Sequence, residues 1–178
     1  MSELIVDLGC GMHKRPGAVG VDFNPASGAD VTHDLNKMPY PFDSETVKEV
    51  YLDNVLEHLD DVVAVMEEIH RICRPGASVR IDVPYFRSRW SAIDPTHRHQ
   101  FTVGSFGYFD PRHPFFDQYR YTEARFEVER VVFNERWPTR GLRGTVARWA
   151  NRRPERYEER VSQLVPLDEL TFYLRRLA

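Results

Sequence analysis

The sequence predicts an α/β fold, a doubly wound and mostly parallel sheet that finishes with an antiparallel C-terminal strand. Three observations carry that prediction. Short apolar runs recur through the N-terminal half, each bounded by glycine, proline or an acid, as the strands of a buried parallel sheet are. One clear amphipathic helix, Asp60 to Cys73, lies between the fourth and fifth of these runs. Near the C-terminus, Phe126 to Phe133 alternates partly in polarity, which suits an antiparallel strand with one wet face.

The totals set the bounds. At 178 residues, 42% hydrophobic and 29% charged, the chain fits one domain, 1–178, with a sizeable core. No apolar run approaches the roughly 18 to 20 residues of a bilayer span. The start, Met1-Ser2-Glu3, lacks a basic-then-apolar leader. Cys10 and Cys73 form no disulfide framework, so the expected setting is cytoplasmic, reduced and free of membrane. A net charge of −3 argues against a polyanion-binding protein.

In chain order, Leu4 to Leu8 reads as strand one and breaks at once into Gly9-Cys10-Gly11. Glycines there let backbone N–H groups approach a ligand that a Cβ would keep away. Ala18 to Phe23 is strand two, and the short stretch through Pro16-Gly17 leaves room only for a clipped loop or one helical turn. Asp30 to Leu35 is strand three, and Met38 to Phe42 carries two prolines and is irregular. Val47 to Leu52 is strand four. The helix over Asp60 to Cys73 starts at an Asp60 or Asp61 cap and is expected to stop at Pro75-Gly76, before strand five, Ser78 to Val83. Tyr85 to Tyr121 reads as a long functional loop, with a short helix from Thr102 to Phe109. Gly141 to Leu164 is helical in two pieces divided at Arg152-Arg153-Pro154, and Leu170 to Leu177 is a strand paired with the 126–136 run.

Parallel strands point their carboxyl ends at one edge, so Gly9 and Gly11, Asp22 and Asp34 converge on a single crevice. A carboxylate beyond strand two can accept both hydroxyls of a ribose. One beyond strand three can accept from an exocyclic amine.

With Val6-Asp7-Leu8-Gly9-Cys10-Gly11, Gly20-Val21-Asp22, Asp34-Leu35, Met38-Pro39-Tyr40-Pro41-Phe42, Asn54-Val55-Leu56-Glu57-His58-Leu59 and Arg74-Pro75-Gly76 in this order, the chain resembles the class I S-adenosylmethionine-dependent methyltransferases. The resemblance covers roughly residues 4–84. It implies a Rossmann-like sheet of seven strands with the last antiparallel, and S-adenosyl-L-methionine as cofactor. Residues 1–84 would form the cofactor-binding half and 85–178 the substrate side. Asp7, Gly9, Cys10 and Gly11 would face the methionine part, Asp22 the ribose, Asp34 and Leu35 the adenine, and Asn54 the sulfonium. His13 stands where the family often has a third glycine, and the first two crossovers are shortened. The related Gly-x-Gly-x-x-Gly dinucleotide fingerprint fails at Lys14.

The expected function is methyl transfer to an O or N atom of a small-molecule acceptor. The alternatives are a non-catalytic cofactor-binding module and an RNA or protein methyltransferase. Because imidazole as a class can exchange a proton near neutral pH, His97 and His99 are the candidates for a general base. Tyr85, Arg89 and Trp90 are the candidates for acceptor contact. His97 and His99 could also ligate a metal with Asp94 or His113, but no recognised zinc spacing is present, so no metal is assigned. In the Arg-rich stretch 136–160, interleaved glutamates favour a solvated helix face over a nucleic-acid surface. The oligomeric state is not legible.

Overall fold

The computed structural model describes residues 3–178 and arranges them about one sheet. Its strands are Leu4–Leu8 (β1), Val19–Asp22 (β2), Val31–Thr32 (β3), Val47–Asp53 (β4), Cys73–Pro84 (β5), Phe126–Phe133 (β6) and Glu169–Arg176 (β7). They lie side by side in the order β3-β2-β1-β4-β5-β7-β6. The first five pair in parallel, and β7 is antiparallel to both β5 and β6. The helices are Val62–Ile72 (α1), Arg89–Ile93 (α2), Pro114–Tyr119 (α3), Gly141–Ala150 (α4) and Pro154–Arg160 (α5).

The central strands form where the apolar runs predict them, and they bury one face of the sheet, while Glu49, Tyr51 and Arg80 on the other face are only half-buried. Val6, Leu8, Val50, Leu52, Val79 and Ile81 are all buried. Helix α1 presses Val65, Met66, Ile69 and Ile72 onto the sheet at helical spacing. Each such side chain contributes roughly 1.5–3 kcal/mol of burial. Asp61, not Asp60, caps α1, accepting from the Ala64 N–H at 3.0 Å. On the same face, further along the sheet, Phe172 of β7 meets Phe106 with ring centroids 4.6 Å apart, and Phe133 of β6 meets Tyr157 at 4.8 Å.

Several expectations change. Strand three shrinks to Val31–Thr32, and Asp34 falls in the turn after it. The connections β1–β2, β2–β3 and β3–β4 carry no helix, so α1 is the helix that covers this part of the sheet. Pro75-Gly76 does not stop α1. The chain turns extended already at Cys73, and Arg74 to Ala77 bulge out between the Cys73 and Ser78 pairings with β4, with Gly76 at a φ of 82°. The short helix near 102–109 is a 3₁₀ turn, Ser105–Phe109. Helices α2 and α3 also interrupt the stretch read as loop. Among the described residues, no helix is long and apolar enough to cross a membrane.

His70 of α1 stands edge-on to Phe126, ring centroids 5.6 Å apart, with Nε2 3.3 Å from the Leu177 carbonyl. Burial, reinforced by the nearby Arg176 charge, lowers its pKa. On acidification the unfolded chain therefore takes up this proton first, and stability falls as pH drops below about 6.5. Urea midpoints at about pH 7.5 and 5.5 check this, since the His70→Gln variant should lose less stability over that interval than the parent.

Candidate functional site

At the carboxyl end of β1 the chain turns through Gly9 and Gly11, both at positive φ, 70° and 51°. The Gly9 and Cys10 N–H groups both donate to the Val21 carbonyl, at 2.7 and 3.1 Å, which binds the turn to β2. A Cβ on Gly9 would lie 2.4 Å from Val55 Cγ2, so this position has no room for a side chain. Over Gly11 no atom lies within 4 Å of an added Cβ, leaving open space above the turn.

Residues 9–18 make the first crossover without a helix. Asp7, buried beneath them, accepts from the Arg15 N–H at 2.7 Å, and burial raises its pKa. Asp30 accepts from Lys14 Nζ at 2.9 Å and from the Gly20 N–H at 2.7 Å. The Arg15 guanidinium lies over the Tyr51 ring, 3.9 Å from its centroid. Cys10 is buried against β2, its Sγ 2.8 Å from where a Gly20 Cβ would stand.

At the tip of β2, Asp22 accepts from Gly11 N–H and Asn24 N–H, each at 2.9 Å. Each oxygen keeps a further lone pair for a ligand. Asp34 accepts from the Asn36 N–H at 3.0 Å. Leu35 is buried in the core, its carbonyl accepting from the Tyr40 hydroxyl at 3.0 Å. At the tip of β4, Asn54 has a φ of 52°, and its N–H donates to the Asp82 carbonyl at 2.9 Å. The tips of β1, β2 and β4, with Asp34 just beyond β3, therefore share one edge.

Beside Asn54 the 3₁₀ turn Leu56–His58 is clasped by the segment 94–99. The Glu57 carbonyl accepts from the Arg98 and His99 N–H groups at 2.8 and 3.3 Å, and Arg98 pairs with Asp60. His99 Nε2 donates to the Leu59 carbonyl at 2.9 Å. His97 Nδ1 lies 3.2 Å from the Ser91 carbonyl, and since a carbonyl only accepts, Nδ1 carries the proton and Nε2 is bare. Thr96 donates its hydroxyl to Asp94 at 2.7 Å, so it accepts from His58 Nδ1 at 2.9 Å and leaves the other His58 nitrogen bare as well. Burial, with His97 close by, lowers the His58 pKa.

Glu57 is 1% exposed, and neither of its carboxylate oxygens has a hydrogen-bond partner. Burial pushes its pKa up to about 7. His97 Nε2 is 3.9 Å from Glu57 Oε1, and the His58 and His97 rings meet edge-on at 4.7 Å. This corner opens on a cleft of about 750 Å³, lined also by Asn54, Trp90, Ile93 and Trp137.

The structure thus brings His97, Trp90 and Asn54 to one cleft and leaves other expected residues out of it. His99, expected to share the role of base, is turned onto the Leu59 backbone. Tyr85 is fully buried among Phe133 and Tyr157. Arg89 lies over the Trp90 ring at 4.4 Å and lines a neighbouring groove. The metal set weighed from sequence is not assembled, because His113 accepts from the Phe115 N–H and Asp94 is engaged by Thr96. Sequence reasoning missed Glu57. Its signal was its place in the Leu56-Glu57-His58 word beside Asn54. In the Arg-rich stretch, Arg136 pairs with Asp53 and Arg143 binds Asp168 at 3.0 Å, so both face acids of the fold.

Comparison with known proteins follows this geometry. A family model described as methyltransferase domain matches residues 6–81. No curated protein matches. Among solved structures the chain is similar to an S-adenosylmethionine-dependent methyltransferase from Mesorhizobium loti, at 18% identity and a TM-score of 0.57, covering 97% of this chain and 90% of that one. It is similar to a further such methyltransferase from Archaeoglobus fulgidus, at 16% identity and a TM-score of 0.60, covering 98% and 86%. A third is geranyl diphosphate C-methyltransferase from Streptomyces coelicolor, in a complex with S-adenosyl-L-homocysteine, at 14% identity and a TM-score of 0.58, covering 99% and 70%. At these identities the likeness is one of fold.

The turn after β1 also makes a stability prediction. Gly9→Ala combines a strained φ with the Val55 contact and should cost about 2 kcal/mol or more. Gly11→Ala meets only the strained φ and should cost about 1 kcal/mol. Urea denaturation of the two variants checks the order.

Proposed function

We propose that the chain is a class I S-adenosylmethionine-dependent methyltransferase, a reading supported by the match of residues 6–81 to a methyltransferase domain, and that it methylates an O or N atom of a small molecule held in the cleft beside Asn54. Methyl transfer is an in-line displacement in which the cofactor supplies the activated carbon. The protein's task is to hold methyl and nucleophile in line, an effect that can supply roughly 7–11 kcal/mol. In this reading the cofactor lies over the Gly9-Cys10-Gly11 turn, where the space above Gly11 admits it. The free lone pairs of Asp22 take the ribose hydroxyls. Asp34 and the Leu35 backbone meet the adenine edge. Asn54 stands between sulfonium and acceptor. Asp7 acts one layer down, holding the loop that covers the cofactor.

The observation that carries the acceptor assignment is the bare Nε2 of His97 at the cleft wall, fixed by the Nδ1 bond to Ser91. A hydroxyl or ammonium acceptor must lose a proton as it is methylated, and this lone pair receives it. Trp90, Ile93 and Trp137 present apolar and aromatic surface. Asp94, Asp168 and Glu169 complete the wall, Asp168 already paired with Arg143, and no Lys or Arg lines the cleft among the described residues, which favours a neutral or amine-bearing acceptor with an apolar body over a phosphorylated one.

Calorimetry with S-adenosyl-L-homocysteine tests the cofactor half: Asp22→Ala should weaken binding about tenfold or more, roughly 1.4 kcal/mol, with the fold intact by circular dichroism. Unchanged affinity would show the ribose assignment to be wrong. For the acceptor half, methyl-labelled cofactor is supplied with a metabolite extract. His97→Ala should lower the rate of label incorporation by about 10²–10⁴ while leaving cofactor affinity unchanged. His99→Ala should act on stability and spare the rate, and equal loss in both variants would remove His97 from the role.

A further inference from the structure

One base needs one lone pair, yet the corner beside Asn54 turns three accepting groups toward one another, and among the described residues no donor is turned in to meet them. Both imidazoles have spent their N–H on outward partners, His97 on the Ser91 carbonyl and His58 on the Thr96 hydroxyl, itself fixed by Asp94. The carboxylate they face, Glu57, is buried with both oxygens unpartnered. One nitrogen or oxygen from each of Glu57, His58 and His97 lies within 4.8 Å of the others. A buried carboxylate facing two nitrogen lone pairs is costly unless something positive sits between them. A shared proton would bridge one of these contacts and leave the rest unmade.

We propose that Glu57, His58 and His97 bind one divalent transition-metal ion of the Zn²⁺ class, with a fourth position open to the acceptor cleft. Two imidazoles and one carboxylate suit Zn²⁺ and its neighbours, whereas Ca²⁺ and Mg²⁺ favour oxygen donors throughout. Tetrahedral coordination at about 2.0–2.1 Å sets ligand atoms about 3.3 Å apart, so the 3.9 Å gap between His97 Nε2 and Glu57 Oε1 needs only a small inward movement. The supporting bonds have the form that metal-bound histidines require, each ring donating its second N–H to a carbonyl or hydroxyl that holds it in orientation. Asp94-Thr96-His58 is such a chain, and Ser91-His97 is another. The three ligands come from the two segments that the backbone bonds at Glu57 clasp together, so the site is built by the fold rather than by one sequence word.

The inference rests on the reading of this cleft as the acceptor site for its consequence, not for its existence. An acceptor hydroxyl or amine completing the fourth position would be acidified by the ion and would release its proton to solvent in the open cleft, with His97 then serving as ligand rather than as base.

Titration of the full chain with Co²⁺ as the metal alone tests the site without any turnover assay. The expected result is visible d–d absorption that saturates at one equivalent and is displaced by Zn²⁺. His97→Gln should abolish it. Thr96→Val, at an exposed position that leaves the three ligands in place, should weaken Co²⁺ binding about tenfold or more by freeing the His58 ring. A lack of saturable absorption, or a spectrum unchanged in both His97→Gln and His58→Gln, would overturn the proposal, and the Thr96 variant keeps the test valid if either ligand variant fails to fold. If Co²⁺ does not bind while His97→Ala of chelated protein still loses label incorporation, the metal inference falls and the acceptor reading stands.

Discussion

Two carboxylates at the first crossover are the constraint on which the rest of the sheet edge depends. A parallel β-x-β connection is ordinarily closed by a helix that packs on the sheet, and residues 9–18 lack one. Asp7 and Asp30 take over its task by binding backbone N–H groups of Arg15 and Gly20, while Lys14 neutralises Asp30. Asp7 is buried, where an unpaired ion would be expensive, and the Arg15 N–H offsets part of that cost. Only with this loop held down does Gly11 face open space, and only then does its N–H meet an Asp22 oxygen at 2.9 Å. The geometry of strand tips and the chemistry they present are thus one arrangement.

The second dependency runs through β4. Asn54 leaves the strand with a positive φ, and its N–H is caught by the Asp82 carbonyl of β5. That turn directs Leu56 into the core and aims Glu57 and His58 toward the segment 94–99. The backbone bonds from Arg98 and His99 to the Glu57 carbonyl then fix the separation of the two segments. Side chains in such a clasp interact in a low-dielectric environment, where each unmatched lone pair matters more than it would in water. The burial that raises the Glu57 pKa and lowers that of His58 comes from the same packing.

Much of this fold was legible because its signals are local. β1, β2, β4 and β5 announce themselves as apolar runs that no other arrangement would bury, and α1 as a run with one apolar face. The break at Arg152 to Pro154 between α4 and α5 is equally local. Three features were not. Pro75-Gly76 reads as a helix stop because a glycine at positive φ serves a helix end and a strand bulge alike, and only the pairing of Cys73 and Ser78 with β4 decides between them. Tyr85 resembles a site residue by position and is core by packing, and the Leu35 side chain is core as well, which leaves only its backbone for a ligand. His97 and His99 are equivalent as sequence. What separates them is which carbonyl each ring meets, Ser91 or Leu59, and that follows from the path of a loop no periodicity describes.

The same reasoning explains why Glu57 escaped notice. A glutamate next to a histidine on a short turn ordinarily projects into water, where it needs no explanation. Here Leu56 must be buried for the turn to pack, and the segment 94–99 closes over what remains, so Glu57 is enclosed as a consequence of its neighbours. An enclosed carboxylate without partners is a standing cost to the folded state. Hydrophobic packing around it, from Leu56 and Leu59 to the sheet, is extensive enough to maintain it. A site whose polar atoms are held rigid and left unsatisfied by the protein is one whose free energy falls when something external supplies the missing partner, and the cleft wall at Glu57 is where the described residues leave that partner room.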